Sequence, residues 1–172
     1  MENSFPPLLS IIIATRNREY YCIESIKSIL ALDSNEIELA IADNSDSAVV
    51  KDFVATIDDK RLVYRYDNSP TSSIANFNNC MSLATGDYVC MIGDDDSVLR
   101  SIITVTKWAS DNNIDSVCAN RTINYYWPKA REIYPNGYLE LPRSIGYKEE
   151  VDVMNEIKTL LKNGLQQYLL YK

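Results

Sequence analysis

The sequence lacks histidine altogether, and its four cysteines are widely spaced, with no CxxC pair. These absences exclude a zinc site and any histidine-based acid–base or triad chemistry within this chain. Three of the cysteines fall within apolar periodic segments, where a thiol behaves as a small hydrophobic group. We therefore expect the cysteines to be reduced residues of the core.

Glycine and proline are also scarce, with 5 and 6 residues among 172, and 46% of the chain is hydrophobic. This composition excludes a disordered or collagen-like chain and fits one globular domain. The longest apolar run, Leu8 to Ala14, is interrupted by Ser10 and is far shorter than the roughly 20 residues that span a bilayer. Because the N-terminus also lacks the features of a signal peptide, we predict no membrane span and a cytoplasmic location. Peripheral attachment to the inner face of the membrane stays open.

Basic residues are outnumbered, since 24 Asp and Glu face 17 Lys and Arg, which gives a net charge of −7. This charge opposes the basic surface that binding to a nucleic-acid backbone requires. We therefore predict that nucleic acid is not a partner. An acidic protein can still bind an anionic nucleotide if a divalent cation or a helix N-terminus supplies positive potential at the site.

Strand patterns alternate with helical patterns over most of the chain. The predicted strands are 8–14, 36–42, 62–66, 87–92 and 115–119, and the predicted helices are 19–31, 47–57, 72–84 and 99–111. This order predicts an α/β fold with a doubly wound, mostly parallel sheet flanked by helices, which binds ligands beyond the carboxyl ends of its strands. In the helix 72–84, we expect the buried face to consist of Ile74, Phe77, Met81 and Ala84.

Beyond Asn120 the pattern changes to tyrosine-rich extended segments and a final predicted helix at about 148–162. The cluster Tyr125-Tyr126-Trp127 is more typical of a core or an interface than of a binding site, and we assign it no role. The apolar residues 165–172 carry no helix stop signal, which suggests that the chain is truncated.

Three successive carboxylates, Asp94, Asp95 and Asp96, follow the fourth predicted strand. Such neighbours repel one another, and a divalent cation relieves the repulsion. Mg²⁺ or Mn²⁺ is typically held by one or two carboxylates together with substrate phosphates, and Asp94 and Asp96 form the natural pair. The alternative is a solvated acidic turn in which Asp96 or Ser97 caps the next helix.

Other polar residues follow the first two predicted strands. Asp43 can accept a hydrogen bond from a nucleobase or ribose, although an Asx-turn explains it equally well. Thr15, Arg16 and Asn17 can hold a phosphate or cap the first helix, and we favour capping for Asn17. Asn76 lies on the polar side of its predicted helix, facing either the solvent or the ligand cleft.

Three segments resemble family-2 glycosyltransferases of the GT-A fold, in sequence, order and spacing, over about residues 8 to 120. They are Leu9-Ser10-Ile11-Ile12-Ile13-Ala14-Thr15-Arg16-Asn17-Arg18, Ile41-Ala42-Asp43-Asn44-Ser45 and Ala84-Thr85-Gly86-Asp87-Tyr88-Val89-Cys90-Met91-Ile92-Gly93-Asp94-Asp95-Asp96. An isolated Asp-x-Asp would mean little, but agreement between separated segments is specific.

The resemblance implies a role for each candidate residue. Thr15, Arg16 and Asn17 would line the nucleotide pocket, Asp43 would contact the base, usually uracil, and Asp95 would neighbour the ribose. Asp94 and Asp96 would form the Asp-x-Asp motif, with Asp96 the preferred ligand of Mn²⁺ or Mg²⁺. A shift of one residue would place Gly93 on the first aspartate of the motif and make Asp95 the ligand.

The sequence also departs from the family pattern. Ala75 precedes Asn76 where many relatives carry arginine, so the cationic contact to the donor phosphates is missing or is replaced by Arg16 or Arg65. The family's catalytic base, an Asp or Glu beyond the donor motif, has no counterpart that we can name. Glu149 and Glu150 open a predicted helix, where the helix dipole explains them, so we assign no catalytic residue.

The predicted function is therefore the metal-dependent, inverting transfer of a hexose-type sugar from a nucleotide-diphosphate sugar to a saccharide or lipid-linked acceptor in polysaccharide synthesis. UDP is the favoured nucleotide. Residues 1–120 would bind donor and metal, and 121–172 would begin the acceptor side within one structural domain. The alternative is a non-catalytic nucleotide-binding or assembly module with a degenerate GT-A fold. A receiver-like phosphoacceptor domain fits less well. It needs a phosphoacceptor aspartate at the end of the third strand and a lysine at the end of the fifth, and Asp67 and Asn120 suit these roles poorly. Homo-oligomerisation stays open.

Overall fold

The computed structural model describes residues 6–118 in full and the backbone of 124–126, 138–140 and 169–171. Its contacts divide the chain into two compact units, Met1–Val117 with Leu170–Lys172, and Cys118–Leu169. The predicted helix at 148–162 lies outside the described residues. Among the residues described, no helix combines the length and the apolarity needed to cross a membrane.

The predicted alternation of strands and helices is confirmed, with small shifts of the boundaries. The strands, in chain order, are β1 Leu9–Thr15, β2 Ile37–Asp43, β3 Leu62–Tyr66, β4 Tyr88–Ile92, β5 Ser116–Cys118, β6 Asn124–Tyr126, β7 Tyr138–Glu140 and β8 Leu169–Tyr171. The helices of the described part are α1 Glu19–Leu30, α2 Val49–Val54, α3 Ser73–Met81 and α4 Ser101–Asp111. The helices α2, α3 and α4 are therefore shorter than their sequence patterns suggest.

The main sheet has the strand order β3-β2-β1-β4-β8-β5, and β6 pairs with β7 in a separate two-stranded sheet. β1 runs parallel to both β2 and β4, and its last residue, Thr15, is in register with Asp43. β2 also runs parallel to β3, whereas β8 runs antiparallel to β4. Because the chain passes outward through β2 and β3 and then crosses to β4, the strand order reverses beside β1. A doubly wound sheet binds its ligands at such a point.

Alternate residues of β1 belong to two different core clusters, because successive side chains of a strand point to opposite faces. On one face, Ile11 and Ile13 pack with buried residues of three helices; the buried helix members are Cys22, Ile26 and Ile29 of α1, Val50 of α2 and Ala109 of α4. On the other face, Ile12 packs with Cys80 of α3. The sheet therefore has helices on both faces, as predicted.

Cys22, Cys80 and Cys90 are buried and form no disulfide, as predicted. Burial raises the pKa of the Cys22 thiol to about 12. The thiol therefore stays protonated at neutral pH and behaves as a core residue.

The predicted apolar face of α3 is wrong for Ile74 and Met81, whereas Ala84, just beyond the helix, packs against the core cluster that contains Cys80. Ile74 is 73% exposed and Met81 is 42% exposed, whereas the buried residues of the helix are Asn76 and Cys80. The Cys80 thiol contacts the carbonyl oxygens of Ile13 and Ala40 at 3.1 and 3.3 Å. The helix is rotated from the predicted orientation because these side chains bond to strand carbonyls that apolar side chains could not satisfy.

A buried carboxylate joins three segments at the amino ends of β1, β2 and β4. Glu38 accepts hydrogen bonds from Ser10 Oγ at 2.7 Å and from the Thr85 backbone N–H at 2.9 Å. Ser10 Oγ in turn accepts the N–H of Gly86 at 2.8 Å. This network fixes the start of β4 against β1, at the edge of the sheet opposite to the candidate site.

Candidate functional site

The carboxyl ends of β1, β2 and β4 bring three of the predicted site residues together. Thr15 and Asp43 are register partners at the ends of adjacent strands. The Thr15 hydroxyl donates a 2.9 Å hydrogen bond to Asp94 Oδ2 in the loop that follows β4. All three residues are buried, with 2%, 1% and 7% of their surface exposed. Their convergence follows from the parallel order of the strands.

Asp94 is a buried carboxylate with a hydroxyl donor at one oxygen and an arginine guanidinium at the other. Thr15 binds Oδ2, and Arg18 Nε lies 3.1 Å from Oδ1. Burial raises the pKa of Asp94, while the Thr15 hydrogen bond and the Arg18 charge act in the opposite direction. A buried carboxylate requires such partners, because desolvation disfavours its charged form.

Arg18 joins two of the three aspartates of the loop. Its Nε faces Asp94, and its Nη2 donates a 2.5 Å hydrogen bond to Asp95 Oδ2. The guanidinium carbon lies 5.1 Å from the centroid of the Tyr21 ring, within the range of a cation–π contact. We did not predict a role for Arg18, although its place directly after the polar residues that end β1 was a usable signal.

The loop at 93–96 is held from inside by a serine of α1. Ser25 is buried, and its Oγ lies 3.0 Å from the carbonyl oxygen of Asp94 and 2.7 Å from that of Asp96. The N–H of Gly93 donates to Asp96 Oδ2 at 3.1 Å. No sequence pattern predicts this role of Ser25, because a serine within an amphipathic helix is not distinctive.

The alternative in which Asp96 or Ser97 caps the next helix is not what the structure contains. α4 begins at Ser101, and its N-cap residue is Arg100, which makes no side-chain capping hydrogen bond. The acidic loop therefore ends before the helix starts, and its fold depends on Ser25, Arg18 and Gly93 instead.

The capping role that we favoured for Asn17 is wrong. The N-cap position of α1 is Arg18, without a side-chain capping bond. Asn17 has a φ of 56°, in the left-handed region that asparagine tolerates. Its side chain makes two 2.8 Å hydrogen bonds with Asp46, one to the carboxylate and one from the backbone N–H. Arg16 forms a 3.5 Å ion pair with the same aspartate, and both of these side chains are largely exposed.

Asp43 forms the Asx-turn that we considered as its alternative role. Its Oδ1 accepts the N–H of Ser45 at 2.8 Å, and its Oδ2 accepts the hydroxyl of Tyr64 at 2.6 Å. Burial, and next the hydrogen bond to Asp43, raises the pKa of Tyr64. Each carboxylate oxygen has a second acceptor position, but Asp43 is only 1% exposed, so a hydrogen bond from a ligand requires a shift of the side chains that cover it.

Asn76 does not face the solvent. Its side-chain amide donates to the carbonyl oxygens of Thr15 and Ala42 at 3.2 Å each. Thr15 is the last residue of β1 and Ala42 the last but one of β2. Asn76 therefore supports the carboxyl ends of both strands from the α3 side. Of the two cations considered as replacements at Ala75, Arg65 is exposed on β3 and Arg16 pairs with Asp46.

Comparison with known families agrees with this arrangement. The sequence model described as Glycosyl transferase family 2 matches residues 10–160. The chain belongs to glycosyl transferase family 2. Its predicted membership is thereby confirmed, on a match that extends well past the loop at 93–96.

Two curated relatives of this family-2 chain come from bacteria. It is 33% identical over 163 residues to WcaA of Escherichia coli (strain K12), whose name assigns it to colanic acid biosynthesis as a glycosyl transferase. It is 28% identical over 149 residues to the GalNAc(5)-diNAcBac-PP-undecaprenol beta-1,3-glucosyltransferase of Campylobacter jejuni. These alignments cover 89% and 83% of the chain but only 57% and 47% of the relatives. The chain therefore spans about half the length of the curated relatives it matches.

A solved structure shows the same fold. The mannosyltransferase PcManGT from Pyrobaculum calidifontis, in complex with GDP-Man and Mn²⁺, is similar with a TM-score of 0.56 and 21% identity. The similarity covers 68% of this chain and 36% of that protein. The family-2 chain thus has the GT-A fold that its sequence predicts.

The carboxylates of this family-2 chain fit a divalent cation of the kind that shares its ligands with a substrate. The residues from 6 to 118 contain no group of three or more potential protein ligands arranged around one point. Mg²⁺ and Mn²⁺ sites at substrate phosphates need only one or two carboxylates. Asp95 and Asp96 are both partly exposed, whereas Asp94 is buried against Thr15 and Arg18. The hard oxygen ligands of this loop suit either ion.

Proposed function

We propose that this chain is the donor-binding part of a metal-dependent glycosyltransferase. In our proposal, residues 1–120 bind a nucleotide-diphosphate sugar and a divalent cation, and 121–172 begin the acceptor side. The observation that carries the proposal is the bond from Thr15 to Asp94, because it places the acidic loop at the reversal of strand order beside β1. Ligands of doubly wound sheets bind at this position.

The acidic loop supplies the ligands of the cation in this proposal. Asp96 and Asp95 are both partly exposed and are the two candidates. Asp96 comes first, by resemblance to the family and because Arg18 already donates to Asp95. Asp94 acts as the inner carboxylate, since Thr15 and Arg18 already occupy its two oxygens. A divalent cation here would offset the repulsion between the loop and the donor diphosphate, which are both anionic.

The nucleoside of the donor binds beside β2 in the same proposal. Asp43 is held by Ser45 and Tyr64 and can still accept an N–H from a base. Uracil fits this acceptor and is the first candidate, by resemblance to the family. PcManGT was solved with GDP-Man, so guanine is the second base to test. The diphosphate of the donor then lies beside Thr15, Arg16 and Asn17. Asn76 supports this segment through its hydrogen bond to the Thr15 carbonyl oxygen.

The reaction that follows is inverting displacement at the anomeric carbon of the donor sugar. A cation held by Asp96 or Asp95 would stabilise the negative charge of the departing nucleoside diphosphate, while a carboxylate base deprotonates the acceptor hydroxyl. No residue in the range 6–118 is assigned as that base. The acceptor is a saccharide or a lipid-linked saccharide, which the names of WcaA and the undecaprenol-linked glucosyltransferase support.

Calorimetric titration tests the donor site. UDP, GDP and ADP are titrated into the protein with Mn²⁺, with Mg²⁺ and with neither ion. We expect UDP to bind in the presence of either cation and to bind much more weakly without them. If no nucleotide binds, or if affinity is the same with and without a cation, the proposal is wrong and a non-catalytic assembly module becomes the better account.

A further inference from the structure

Arg18 is placed as an internal cation of the acidic loop. It begins α1 at the N-cap position, and its guanidinium reaches across to the loop after β4. Nε lies 3.1 Å from Asp94 Oδ1, and Nη2 donates to Asp95 Oδ2. Two adjacent carboxylates thus share one positive charge, which lowers the repulsion between them.

The side chain of Arg18 is also free enough to move. The Arg18 side chain is 45% exposed and the Asp95 side chain is 40% exposed, whereas the Asp94 side chain is only 9% exposed. Ion pairs at this degree of exposure are weak, because water screens them. The contact with Asp95 is therefore the labile one, and the buried contact with Asp94 is the persistent one.

A divalent cation bound at Asp95 would compete with the guanidinium of Arg18 for the same oxygen, Oδ2. A cation bound there would repel a guanidinium that still donated to Oδ2. The Tyr21 ring, 5.1 Å from the guanidinium carbon, gives Arg18 a second contact through which its charge remains stabilised after the bond to Asp95 is lost.

We propose that Arg18 and a divalent cation occupy Asp95 in alternation, and that the displaced guanidinium then contacts the donor diphosphate. This inference rests on the proposed function, since it assumes a cation at the acidic loop. It assigns Arg18 the cationic contact that Ala75 cannot make. Arg16 is a weaker candidate for that contact, because it pairs with Asp46 after β2 and not with the acidic loop.

Mn²⁺ binding in the absence of nucleotide tests the exchange directly. Calorimetry or the electron paramagnetic resonance of free Mn²⁺ compares the unmodified protein with Arg18→Met. We expect Arg18→Met to bind Mn²⁺ about two- to fivefold more tightly, because the weak ion pair with Asp95 no longer competes. With Mn²⁺ saturating, the same variant should bind UDP about three- to tenfold more weakly. A residue with only a structural role would weaken both.

Lys27→Met is the matched control. Lys27 also belongs to the α1 region, forms a 2.7 Å ion pair with Glu24 and lies 5.6 Å from the ring centroid of Phe53. It makes the same two kinds of contact as Arg18 but on a different surface. Its loss should leave both affinities unchanged.

Unchanged or weaker Mn²⁺ binding by Arg18→Met overturns the inference, even where UDP binding still depends on the cation. Failure of the proposed function gives a different result, namely UDP binding that does not respond to Mn²⁺ in any variant. If Arg18→Met does not fold, Arg18→Gln carries the same expectation, since its amide keeps a donor toward Asp94 without the charge.

Discussion

The Thr15 hydroxyl donates a 2.9 Å hydrogen bond to Asp94 Oδ2 and so joins the end of β1 to the acidic loop after β4. The two residues are 79 positions apart in the chain, and both are buried. Because Asp94 is also paired with Arg18, this one carboxylate connects a strand end, a helix start and the loop. The geometry of the candidate site depends on this connection.

Thr15→Val removes the hydroxyl while keeping the shape of the side chain. We expect a loss of about 1–2 kcal/mol in the free energy of unfolding, because a buried carboxylate loses one of its donors. Urea unfolding measures the loss. Thr56→Val is the control, since the Thr56 hydroxyl bonds to a carbonyl on the exposed side of the molecule, and it should cost less than about 0.5 kcal/mol. Equal costs for the two substitutions would contradict the account.

Much of this arrangement could be predicted from the sequence. The alternation of strand and helix patterns is enough to place Thr15, Asp43 and Asp94 at one edge, because parallel strands carry their carboxyl ends to the same side. The acidic run was visible as three successive carboxylates. Parallel order and local composition therefore suffice for the position of the site.

The partners within the site could not be predicted, because they depend on distant parts of the chain. Arg18 and Ser25 contact the acidic loop across 69 to 77 positions. The orientation predicted for α3 is wrong for a related reason. Asn76 and Cys80 face the sheet to bond strand carbonyls, and a hydrophobic pattern alone ranks Ile74 and Met81 above them.

Two glycine substitutions should separate stability from cation binding. A Cβ at Gly86 would lie 2.7 Å from the backbone nitrogen of Ser10, so Gly86→Ala should cost about 1–3 kcal/mol of stability. A Cβ at Gly93 would lie 2.8 Å from Asp96 Oδ2 and 3.1 Å from Asp95 Oδ1, which are movable side-chain ends. Gly93→Ala should therefore cost less than about 1 kcal/mol.

The same Gly93→Ala variant should bind Mn²⁺ more weakly, because both candidate ligands must shift. Thermal unfolding and Mn²⁺ titration of both variants check the contrast. Weakened Mn²⁺ binding by Gly86→Ala alone would contradict it.

The ion pair of Asp59 with Arg61 predicts a dependence of stability on pH. The Arg61 hydrogen bond holds the pKa of Asp59 below its usual value of 3.8, and Arg61 also donates to carbonyls at the end of α1. Since the unfolded chain takes up the proton first, the pair stabilises the fold above about pH 4 and stops doing so as the pH falls through the folded pKa.

Asp59→Asn should therefore lower the free energy of unfolding by about 1 kcal/mol at pH 7. The substitution should have no effect at pH values below the folded pKa of Asp59, where the carboxyl is protonated. Urea unfolding at a series of pH values measures the difference from the unmodified protein. Asp87→Asn, at an exposed position before β4, is the control. A cost for Asp59→Asn that stays constant down to low pH would contradict this interpretation.

Tyr64→Phe tests the proposed contact of Asp43 with the base. The substitution removes the 2.6 Å hydrogen bond to Asp43 Oδ2, so the carboxylate loses one of the two groups that orient it. We expect UDP affinity to fall about two- to fivefold, equivalent to roughly 0.4–1 kcal/mol. Tyr66→Phe, on the same strand, keeps the ring beside Lys51 and should leave the affinity unchanged. An unchanged affinity in Tyr64→Phe would place the base elsewhere.

The most direct test is the Mn²⁺ dependence of UDP affinity in the unmodified protein, in Asp95→Asn and Asp96→Asn, and in the control Asp87→Asn. We predict that Mn²⁺ tightens UDP binding by about tenfold or more, or about 1.4 kcal/mol, in the unmodified protein and in Asp87→Asn. Asp96→Asn should lose this gain, and Asp95→Asn should lose most of it. The same Mn²⁺ dependence in all four proteins would contradict a cation site at the acidic loop.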